Sequence, residues 1–469
     1  MLRFYANLKA LHEEVTGSAI PVTIYFPDNT EVSFAVDYGM FQENKYTEKN
    51  REKFSDLEKL DFVLITHAHI DHIGRLPFLV KQGYEKKIYM TQVTRALSYI
   101  ALNESIKIDA IKNNGNPKLM LYHKDDFYQT MKQIEVVECR KTFSPVPFVN
   151  VTFYENGHLP GAAVIHVQAW HPECEETIEL LFLGDYKKHN ILQLTPDFPK
   201  ELLQRKVNII TESTYGNTNS WEIPYVWKEN MIRFLQEGKS IILPTISNYR
   251  LQERQYAYKK LVEEYPEFKK VRTYMEAKLS EQFSTVYKNP YYQFNQEGMD
   301  FEPTNLIHIN EGNRNLVFRD NRQKVIFTSS GDATNGAAGV YVGHYVSNEN
   351  YVIYLTSHQF EGSVGQRCLQ TKTGEQVELG SGRIYTKKAE VLVTSECSGH
   401  AKADELLDIF NQFPNKQSIL INHGEESVQE KFLKRIEKEC KVKGVARIKP
   451  KTTIKIGPYG IIKTFESTN

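Results

Sequence analysis

The sequence predicts an α/β protein in which one domain is interrupted by an inserted second domain. Short apolar runs of strand length alternate with segments of helical periodicity over the first third of the chain. The pattern starts afresh near residue 215, where a helix, a strand and another helix follow one another. From residue 389 onward the sequence returns to the style of the first third. We therefore expect two packed α/β domains built from three segments, 1–214, 215–388 and 389–469.

The order of the elements follows from where the apolar runs begin and end. Before residue 215, runs between turn signals predict strands at 21–26, 31–36, 61–66, 150–154, 178–183 and 207–211. Helical spacing in the same part predicts helices at 73–83 and 94–106. The inserted segment is predicted to contain helices at 225–237 and 250–265 and strands at 240–244, 324–328 and 351–355, with an aromatic-rich loop at 289–305. The last segment adds strands at 390–394 and 417–421 and a hairpin at 452–465.

The composition is that of a globular, intracellular protein without net charge. Of its 469 residues, 41% are hydrophobic and 12% aromatic, so the chain can bury a sizeable core. Its 58 basic and 58 acidic residues cancel, so attraction for nucleic acid would have to come from a local groove or a metal centre. The five cysteines form no CxxC pair, which favours a reducing cytoplasm, and we expect neither a signal peptide nor a membrane span. A homodimer is one assembly that the sequence allows.

One segment of the sequence is too dense in histidine to belong to a protein core. Residues 66–74 read Thr-His-Ala-His-Ile-Asp-His-Ile-Gly and follow directly after an apolar strand. Imidazole nitrogens and carboxylate oxygens are the ligands that Zn²⁺ prefers in catalytic sites. We expect His67 and His69 to bind one metal ion, while the following turn directs Asp71 and His72 to a second. The alternative interpretation is a solvated, histidine-rich loop.

Other residues of ligand type lie just beyond the ends of predicted strands. They are His158, Asp185, His400 and His423. Because α/β sheets build their sites at the carboxyl ends of several strands, these side chains are candidates for the same site as the histidine-rich segment. Each of them alone could have a structural role, but four at such positions favour a common function. The other eight histidines show no comparable pattern and are interpreted as ordinary surface or core residues.

These motifs together resemble the metallo-β-lactamase fold nucleases that carry a β-CASP insertion. Segment 67–72 is similar to the HxHxDH signature of the superfamily, and Asp37, His158 and Asp185 are similar to its other motifs. Three matches are more specific for the β-CASP branch: Glu-Ser-Thr-Tyr-Gly at 212–216, Ser-Gly-His at 398–400 and Asn-His-Gly-Glu at 422–425. The resemblance covers nearly the whole chain and implies an αββα sandwich interrupted by an α/β β-CASP cassette.

The resemblance also implies roles for the individual residues and two zinc ions per chain. The implied metal ligands are His67, His69 and His158 for one ion, Asp71, His72 and His423 for the other, and Asp185 as the bridge. The implied catalytic residues are Asp71, His400, Glu212 and Asp37. In this scheme His400 protonates the departing 3′-oxygen and is oriented by Glu212, while Asp37 holds a ligand imidazole in the correct tautomer.

The resemblance further implies single-stranded RNA as the substrate. RNA-processing members of the family carry histidine at the last motif, where DNA-repair members carry valine, and this chain has His423. Arg250 lies in a segment similar to the family's Arg-x-Gln-Glu helix start, and we expect Arg250 and Ser398 to contact the substrate. One departure is Asp332, in a stretch where relatives usually have small residues, a methionine and two glycines. We therefore expect a zinc-dependent ribonuclease.

Other functions remain open at this stage. A small-substrate hydrolase of thioesters or lactones would share the metal-binding motifs but would have no use for Glu212, His400 or a large cassette. A catalytically silent RNA-binding subunit would be expected to have lost ligands, and the sequence retains them all. A DNA-acting nuclease of the same family is a further alternative. The sequence also leaves open whether cleavage is internal or proceeds from a 5′ end.

Overall fold

The fold divides into two compact units. The computed structural model describes residues 4–11, 16–54, 57–188, 190, 192, 197–223, 225–289, 300–380, 382–394, 396 and 398–466. The first unit, here called the core unit, consists of Met1–Asn190, Leu194–Glu222 and Gly399–Asn469. The second, the inserted unit, consists of Ile191–Gln193 and Ile223–Ser398. The domain limits derived from the sequence stay a prediction, and most of the aromatic-rich stretch 289–305 lies outside the described residues.

The core unit starts with strands that are joined by short helices and loops. Its first elements are β1 (Tyr5–Leu8), β2 (Ile20–Tyr25), β3 (Glu31–Val36), β4 (Leu60–Leu64), α1 (Ile70–Ile73), α2 (Leu76–Lys81), β5 (Lys87–Thr91), α3 (Gln92–Lys112), α4 (Lys124–Gln133) and β6 (Ile134–Val137). They are followed by β7 (Thr142–Val146), β8 (Val149–Glu155), β9 (Ala163–Ala169), β10 (Ile178–Phe182), α5 (Lys200–Leu203) and β11 (Val207–Thr211). None of the helices in the described residues is long and apolar enough to cross a membrane.

The inserted unit follows, and the chain then completes the core unit. The elements of the inserted unit are α6 (Trp227–Gln236), β12 (Ser240–Pro244), α7 (Arg250–Glu264), β13 (Arg272–Glu276), α8 (Lys278–Tyr287), β14 (Leu306–His308), α9 (Asn315–Arg319), β15 (Lys324–Thr328), α10 (Gly336–Tyr345), β16 (Tyr351–Leu355), α11 (Val364–Gln370), β17 (Gln376–Leu379), β18 (Arg383–Thr386) and β19 (Glu390–Val393). The core unit ends with α12 (Ala403–Asn411), β20 (Ser418–Ile421), α13 (Glu426–Glu439), β21 (Gly444–Arg447), β22 (Thr452–Gly457) and β23 (Gly460–Glu466).

Two sheets form the centre of the core unit. One has the strand order β23-β22-β1-β2-β3-β4-β5-β6 and the other β21-β20-β11-β10-β9-β8-β7. Apolar side chains from both sheets share one buried cluster, which includes Phe34 and Phe62 from the first sheet and Phe153 and Phe182 from the second. The other side of the second sheet packs on α12 and α13, which contribute Phe410 and Phe432. The helix and sheet layers confirm the α/β sandwich predicted from the sequence.

The inserted unit is built on a parallel sheet. Its six strands have the order β14-β13-β15-β12-β16-β19, and each adjacent pair is parallel. Trp227 and Tyr258, from α6 and α7, lie in one apolar cluster, while Tyr341 and Cys368, from α10 and α11, lie in another. A parallel sheet covered on both faces explains why its strands are continuously apolar. It confirms the predicted α/β insertion.

Most of the predicted strands appear within two residues of their expected ends, whereas the helices differ more. The helix predicted at 73–83 is split into α1 and α2, because the chain turns at Gly74 and Arg75. A side chain at Gly74 would come within 2.5 Å of the Cβ atom of Met40, so the turn requires glycine. The helix predicted at 94–106 extends over Gln92–Lys112, and it begins at Gln92 because Thr91 caps its first turn by accepting a hydrogen bond from the Thr94 backbone.

Candidate metal centre

The core unit gathers most of the predicted site residues beyond the ends of its strands. Those brought together are Asp37, His67, His69, Asp71, His72, His158, Asp185, Glu212, His400 and His423. The parallel strands β10, β11 and β20 lie side by side, so the residues that follow them meet at one edge of the sheet. The segment after β4 supplies His67, His69 and His72, and the segment after β8 supplies His158. Arg250 and Ser398 belong to the inserted unit.

One cluster of ligand atoms is formed by His67, His69, His158 and Asp185. Their ligand atoms all lie within 4.8 Å of one another. The Nδ1 atom of His69 lies 3.2 Å from Nε2 of His67 and 3.0 Å from Nε2 of His158. The Oδ2 atom of Asp185 lies 3.5 Å from the same His67 nitrogen and 3.6 Å from that of His158. Three imidazoles and one carboxylate therefore face a common point.

A second cluster is formed by Asp71, His72, Asp185 and His423, again within 4.8 Å of one another. The Nε2 atom of His72 lies 3.3 Å from Oδ2 of Asp185. The two nitrogens of His423 lie 3.7 Å from Oδ2 of Asp71 and 3.6 Å from Oδ1 of Asp185. Asp185 belongs to both clusters, which is the position that a carboxylate bridging two metal ions requires.

The geometry and the chemistry of both clusters fit metal ions. Ligand atoms about 2 Å from one tetrahedral zinc ion lie about 3.3 Å apart, and the separations given above, from 3.0 to 3.7 Å, are similar. Within the described part of the chain, the Nε2 atoms of His72 and His423 and both carboxylate oxygens of Asp185 are buried without a hydrogen-bond partner. Buried polar groups without partners cost free energy, so a bound cation is the occupant that this donor set fits.

Burial and neighbouring charges perturb the ionisation of the ligand residues. Burial holds the pKa of His67 well below its usual range, and the neighbouring ring of His72 adds to this effect. Burial alone would raise the pKa of Asp185, but the rings of His423, His72 and His400 outweigh burial and hold the pKa well below its usual range. Neutral imidazole and ionised carboxylate are the forms that bind metal ions. The electrostatics of these two residues therefore favour the ligand state.

Asp37 and Thr66 support the histidine-rich segment from behind. The Oδ2 atom of Asp37 accepts a hydrogen bond of 2.7 Å from Nδ1 of His72, which leaves Nε2 of His72 as the atom that faces Asp185. Asp37 also accepts hydrogen bonds of 2.8 Å from the backbone and the hydroxyl of Thr66. A side chain at Gly39 would meet the carbonyl oxygen of Asp71 at 1.5 Å, so only glycine allows this approach. Asp37 lies where a residue orienting a ligand imidazole is expected.

His400 and Glu212 form a separate pair beside the two clusters. Nδ1 of His400 donates to Oε2 of Glu212 at 2.7 Å, and the other Glu212 oxygen accepts from the backbone of Tyr186, also at 2.7 Å. Nε2 of His400 lies 3.8 Å from Oδ2 of Asp185. Burial alone would lower the pKa of His400, but the carboxylates of Glu212 and Asp185 outweigh it and raise the pKa above its usual value. The His400 side chain is 21% exposed, so a substrate can reach it.

The same pair also belongs to a third group of possible ligands. Asp185, Glu212, His400 and His423 offer ligand atoms that lie within 4.8 Å of one another. Geometry therefore allows two roles for His400, that of a proton donor and that of a metal ligand. Metal content measured in a His400 variant separates these roles.

The structure adds supporting groups that the sequence did not single out. The Asn156 side chain accepts from the backbone of His158 at 2.9 Å and donates to the carbonyl oxygens of Leu183 and Asp185 at 2.8 and 2.7 Å. Asn156 therefore ties the segments that carry His158 and Asp185 together. The carbonyl oxygen of Gly399 accepts from Nδ1 of His158 at 2.7 Å. The only signal for Asn156 was its place at the end of a strand, and a backbone carbonyl leaves no trace in sequence.

Arg250 and Ser398, the two predicted substrate contacts, belong to the inserted unit. The Arg250 side chain is buried, with 7% of the residue exposed, and it forms an ion pair with Glu253. Its guanidinium also lies 5.1 Å from the ring centre of Tyr249. Ser398 is half-buried and is the last residue of the inserted unit. The substrate-binding roles of both residues stay predictions.

Family models match three parts of the chain. Residues 28–189 match the metallo-beta-lactamase superfamily domain, and residues 252–368 match the Beta-Casp domain. Residues 385–446 match a domain described as the Zn-dependent metallo-hydrolase RNA specificity domain. The first match contains the histidine-rich segment, His158 and Asp185, whereas the third contains His400 and His423. The candidate ligands therefore fall in the two matched segments that flank the insertion.

Comparison with curated proteins finds relatives along most of the chain. It is 23% identical over 410 residues to the transcription termination factor FttA of Methanosarcina mazei, covering 82% of this chain and 62% of that protein. It is 26% identical over 431 residues to a ribonuclease of Thermus thermophilus, covering 88% and 91%. It is 25% identical over 390 residues to the endoribonuclease Ysh1 of Schizosaccharomyces pombe, covering 79% and 48%. The chain thus spans about three fifths of the length of the first of these relatives. Together with the three matching domains, these relatives show that the chain belongs to the β-CASP family of the metallo-β-lactamase superfamily.

Proposed function

We propose that this protein is a zinc-dependent ribonuclease that hydrolyses phosphodiester bonds of single-stranded RNA. The observation that carries the proposal is the pair of four-residue ligand clusters that share Asp185, with His400 and Glu212 directly beside them. RNA as the substrate is supported by the match to an RNA specificity domain and by relatives named ribonuclease and endoribonuclease. Cytoplasmic location and homodimeric assembly stay predictions from the sequence.

The proposed mechanism assigns the clustered residues to two roles, binding of metal ions and transfer of a proton. His67, His69 and His158 would hold one zinc ion, Asp71, His72 and His423 the other, and Asp185 would bridge them. When bound, the two ions supply a hydroxide near neutral pH and stabilise charge on the phosphoryl oxygens. His400 gives a proton from Nε2 to the departing 3′-oxygen, and Glu212 holds the ring by accepting from Nδ1.

Asp37 would act through His72 rather than on the substrate. Its carboxylate accepts from Nδ1 of His72 at 2.7 Å and thereby fixes both the tautomer and the orientation of the ring. Substitution of such a partner typically lowers metal affinity by about 10- to 100-fold. We therefore count Asp37 as a positioning residue of the second cluster.

A denaturing gel tests the proposed function. Zinc-loaded protein is incubated with a single-stranded RNA labelled at its 3′ end, beside the Asp71→Ala variant as a control for contaminating nucleases. Labelled fragments of intermediate length that are absent with the variant would establish an endoribonuclease, and steady shortening from the 5′ end would establish an exonuclease. Absence of metal-dependent cleavage of RNA, together with hydrolysis of a thioester or lactone, would refute the proposal in favour of the small-substrate hydrolase.

A further inference from the structure

The outer side of the eight-stranded sheet carries a group of aromatic and basic side chains that the proposed mechanism does not use. Along β1, β2 and β22 the inward side chains are buried in the core between the two sheets, and Ile461 of β23 packs against the same core. On the outward side Tyr5, Tyr25 and Lys455 are half-buried, and Lys9 and Lys463 are exposed. We call these five residues the tyrosine–lysine face. They lie on the flat of the sheet, whereas the candidate metal centre lies beyond strand ends.

The two tyrosines present adjoining rings on this face. Tyr5 and Tyr25 are directly opposite each other in the antiparallel pairing of β1 with β2. Their ring centres lie 4.9 Å apart with an angle of 31° between the ring planes. Partly exposed rings fixed on a sheet are the surface on which unpaired bases stack, and such stacking tolerates any base.

The lysines bring positive charge to the same face. Lys455 and Lys463 are directly opposite each other in the pairing of β22 with β23, and Nζ of Lys455 lies 3.4 Å from the ring centre of Tyr5. Among the described residues, no carboxylate lies within ion-pair distance of Lys9, Lys455 or Lys463. Like charges directly opposite each other on one face of a sheet repel, and an anion bound between them would relieve this repulsion.

The distribution of acids on this side of the sheet gives the face a direction. Glu31 lies opposite Tyr25 in the pairing of β2 with β3 and is exposed. The described residues therefore place one exposed carboxylate beside Tyr25, on the β3 side of the face, whereas Lys455 and Lys463 lie on the side of β22 and β23, which is the basic side. A polyanion would be drawn to the basic side, where the Lys455 ammonium would move from the Tyr5 ring to a phosphate and leave that face of the ring to a base.

We propose that the tyrosine–lysine face binds a stretch of single-stranded RNA outside the catalytic site. The partner is identified by its chemistry, because rings for stacking and lysines without an ion-pair partner among the described residues together fit a single-stranded nucleic acid. This inference deepens the proposed function and rests on it, since the RNA held on the face is the substrate or its product. An acidic protein would use the lysines but would have little need of the stacked tyrosines.

The test measures RNA binding separately from cleavage. All proteins carry the Asp71→Ala substitution, and the probe is a fluorescein-labelled 20-nucleotide oligouridylate followed by fluorescence anisotropy at several salt concentrations. Tyr5→Leu should weaken binding about 5- to 160-fold if one base stacks on that ring. The pair Lys455→Glu and Lys463→Glu should weaken binding and reduce the slope of log affinity against log salt by about 0.7 for each lost phosphate contact. Tyr128→Leu and Lys112→Glu, both exposed on helices of the same unit, serve as matched controls.

Two further measurements distinguish the possible outcomes. Lys463→Glu alone places a negative charge opposite Lys455, so the melting temperature of this variant should be equal to or above that of the parent. A loss of RNA binding in this variant is then not explained by a loss of folding. Cleavage of a six-nucleotide RNA by the face variants, with Asp71 intact, should equal that of the parent. Unchanged affinity and salt slope in the face variants, or binding of an acidic protein in place of RNA, would overturn the inference. Binding to the face without any cleavage would instead refute the proposed function alone.

Discussion

Replacing Glu212 by glutamine should slow RNA cleavage about 10- to 160-fold and leave the metal content unchanged. Glu212 accepts from His400 at 2.7 Å and from the Tyr186 backbone at 2.7 Å, and only 2% of the residue is exposed. The glutamine carbonyl can keep the bond to Tyr186, which leaves its amide group facing Nδ1 of His400. A hydrogen bond to a charged group contributes about 1.5–3 kcal/mol, and that loss corresponds to the stated range of rates.

The pH dependence of cleavage should change in the same variant. The Glu212 carboxylate is the main group that raises the pKa of His400 against the effect of burial. Without its charge the pKa of His400 falls, so the proton donor is lost at lower pH. As pH rises, the cleavage rate of the variant should therefore begin to fall at a lower pH than that of the parent. The acidic limb of the pH–rate profile should not shift, because it does not report the loss of the His400 proton.

A change of leaving group tests the role of His400 directly. Single-turnover rates are compared for an RNA with the natural 3′-oxygen at the cleaved bond and for one with sulfur in that position. A thiolate leaves without protonation because thiols have a pKa near 8.5, far below that of an alcohol. Glu212→Gln and His400→Ala should both be slow on the oxygen substrate and close to the parent on the sulfur substrate. An equal loss on both substrates, or a loss of metal, would refute the role of proton donor.

Three further substitutions test other parts of the structure. Asp37→Asn should lower zinc affinity about 10- to 100-fold, measured by competition with a chelator. Asp28→Asn, in an exposed turn, is the control. Equal zinc affinities of Asp37→Asn and the parent would contradict the positioning role. Phe432→Ala should lower the free energy of unfolding by about 3–5 kcal/mol in urea titration, because Phe432 is fully buried between α13 and the second sheet; a change below about 1 kcal/mol would contradict this packing. Burial alone would raise the pKa of Asp320, but Arg322 and Tyr274 outweigh it and hold the pKa far below its usual value. The stability that this carboxylate contributes is complete above about pH 4 and is lost as pH falls further. Asp320→Asn should therefore unfold at lower urea concentration than the parent at pH 7, and its stability should fall less on acidification. Equal acid sensitivity of the variant and the parent would refute the role of Asp320.

The sequence predicts those parts of the site that depend on residue type and on position at a strand end. Segment 67–72 indicates metal binding by its residue types alone, because few other functions require three imidazoles and a carboxylate within six residues. His158, Asp185 and His423 could be found because they follow apolar strands of one sheet, at whose edge their loops converge. For His400 this argument was wrong, because the strand before it, β19, belongs to the sheet of the inserted unit. Neither argument depends on knowing how distant segments pack.

The parts that escaped prediction depend on packing between distant segments. Asn156 ties two loops together through hydrogen bonds to backbone carbonyls, and nothing in a single asparagine reveals which carbonyls it will meet. Glycine is required at residue 74 because its backbone lies against Met40, more than thirty residues earlier in the chain. The burial of Arg250 likewise follows from how α7 packs in the inserted unit, whereas its ion pair with Glu253 joins residues only three positions apart. Local periodicity carries no information about these contacts.

The hydrogen bond between Glu212 and His400 joins residues 188 positions apart. The main segment of the inserted unit, Ile223–Ser398, lies between them in the chain, and His423 follows later still. During synthesis a ribosome therefore makes the last ligand and the proton donor only after the insertion is complete. A nascent chain that already displays the histidine-rich segment has neither group until residues 400 and 423 have been added, so the site cannot be complete before then. Under the proposed function, the chain therefore gains the ability to cleave RNA only after the main segment of the inserted unit has been synthesised.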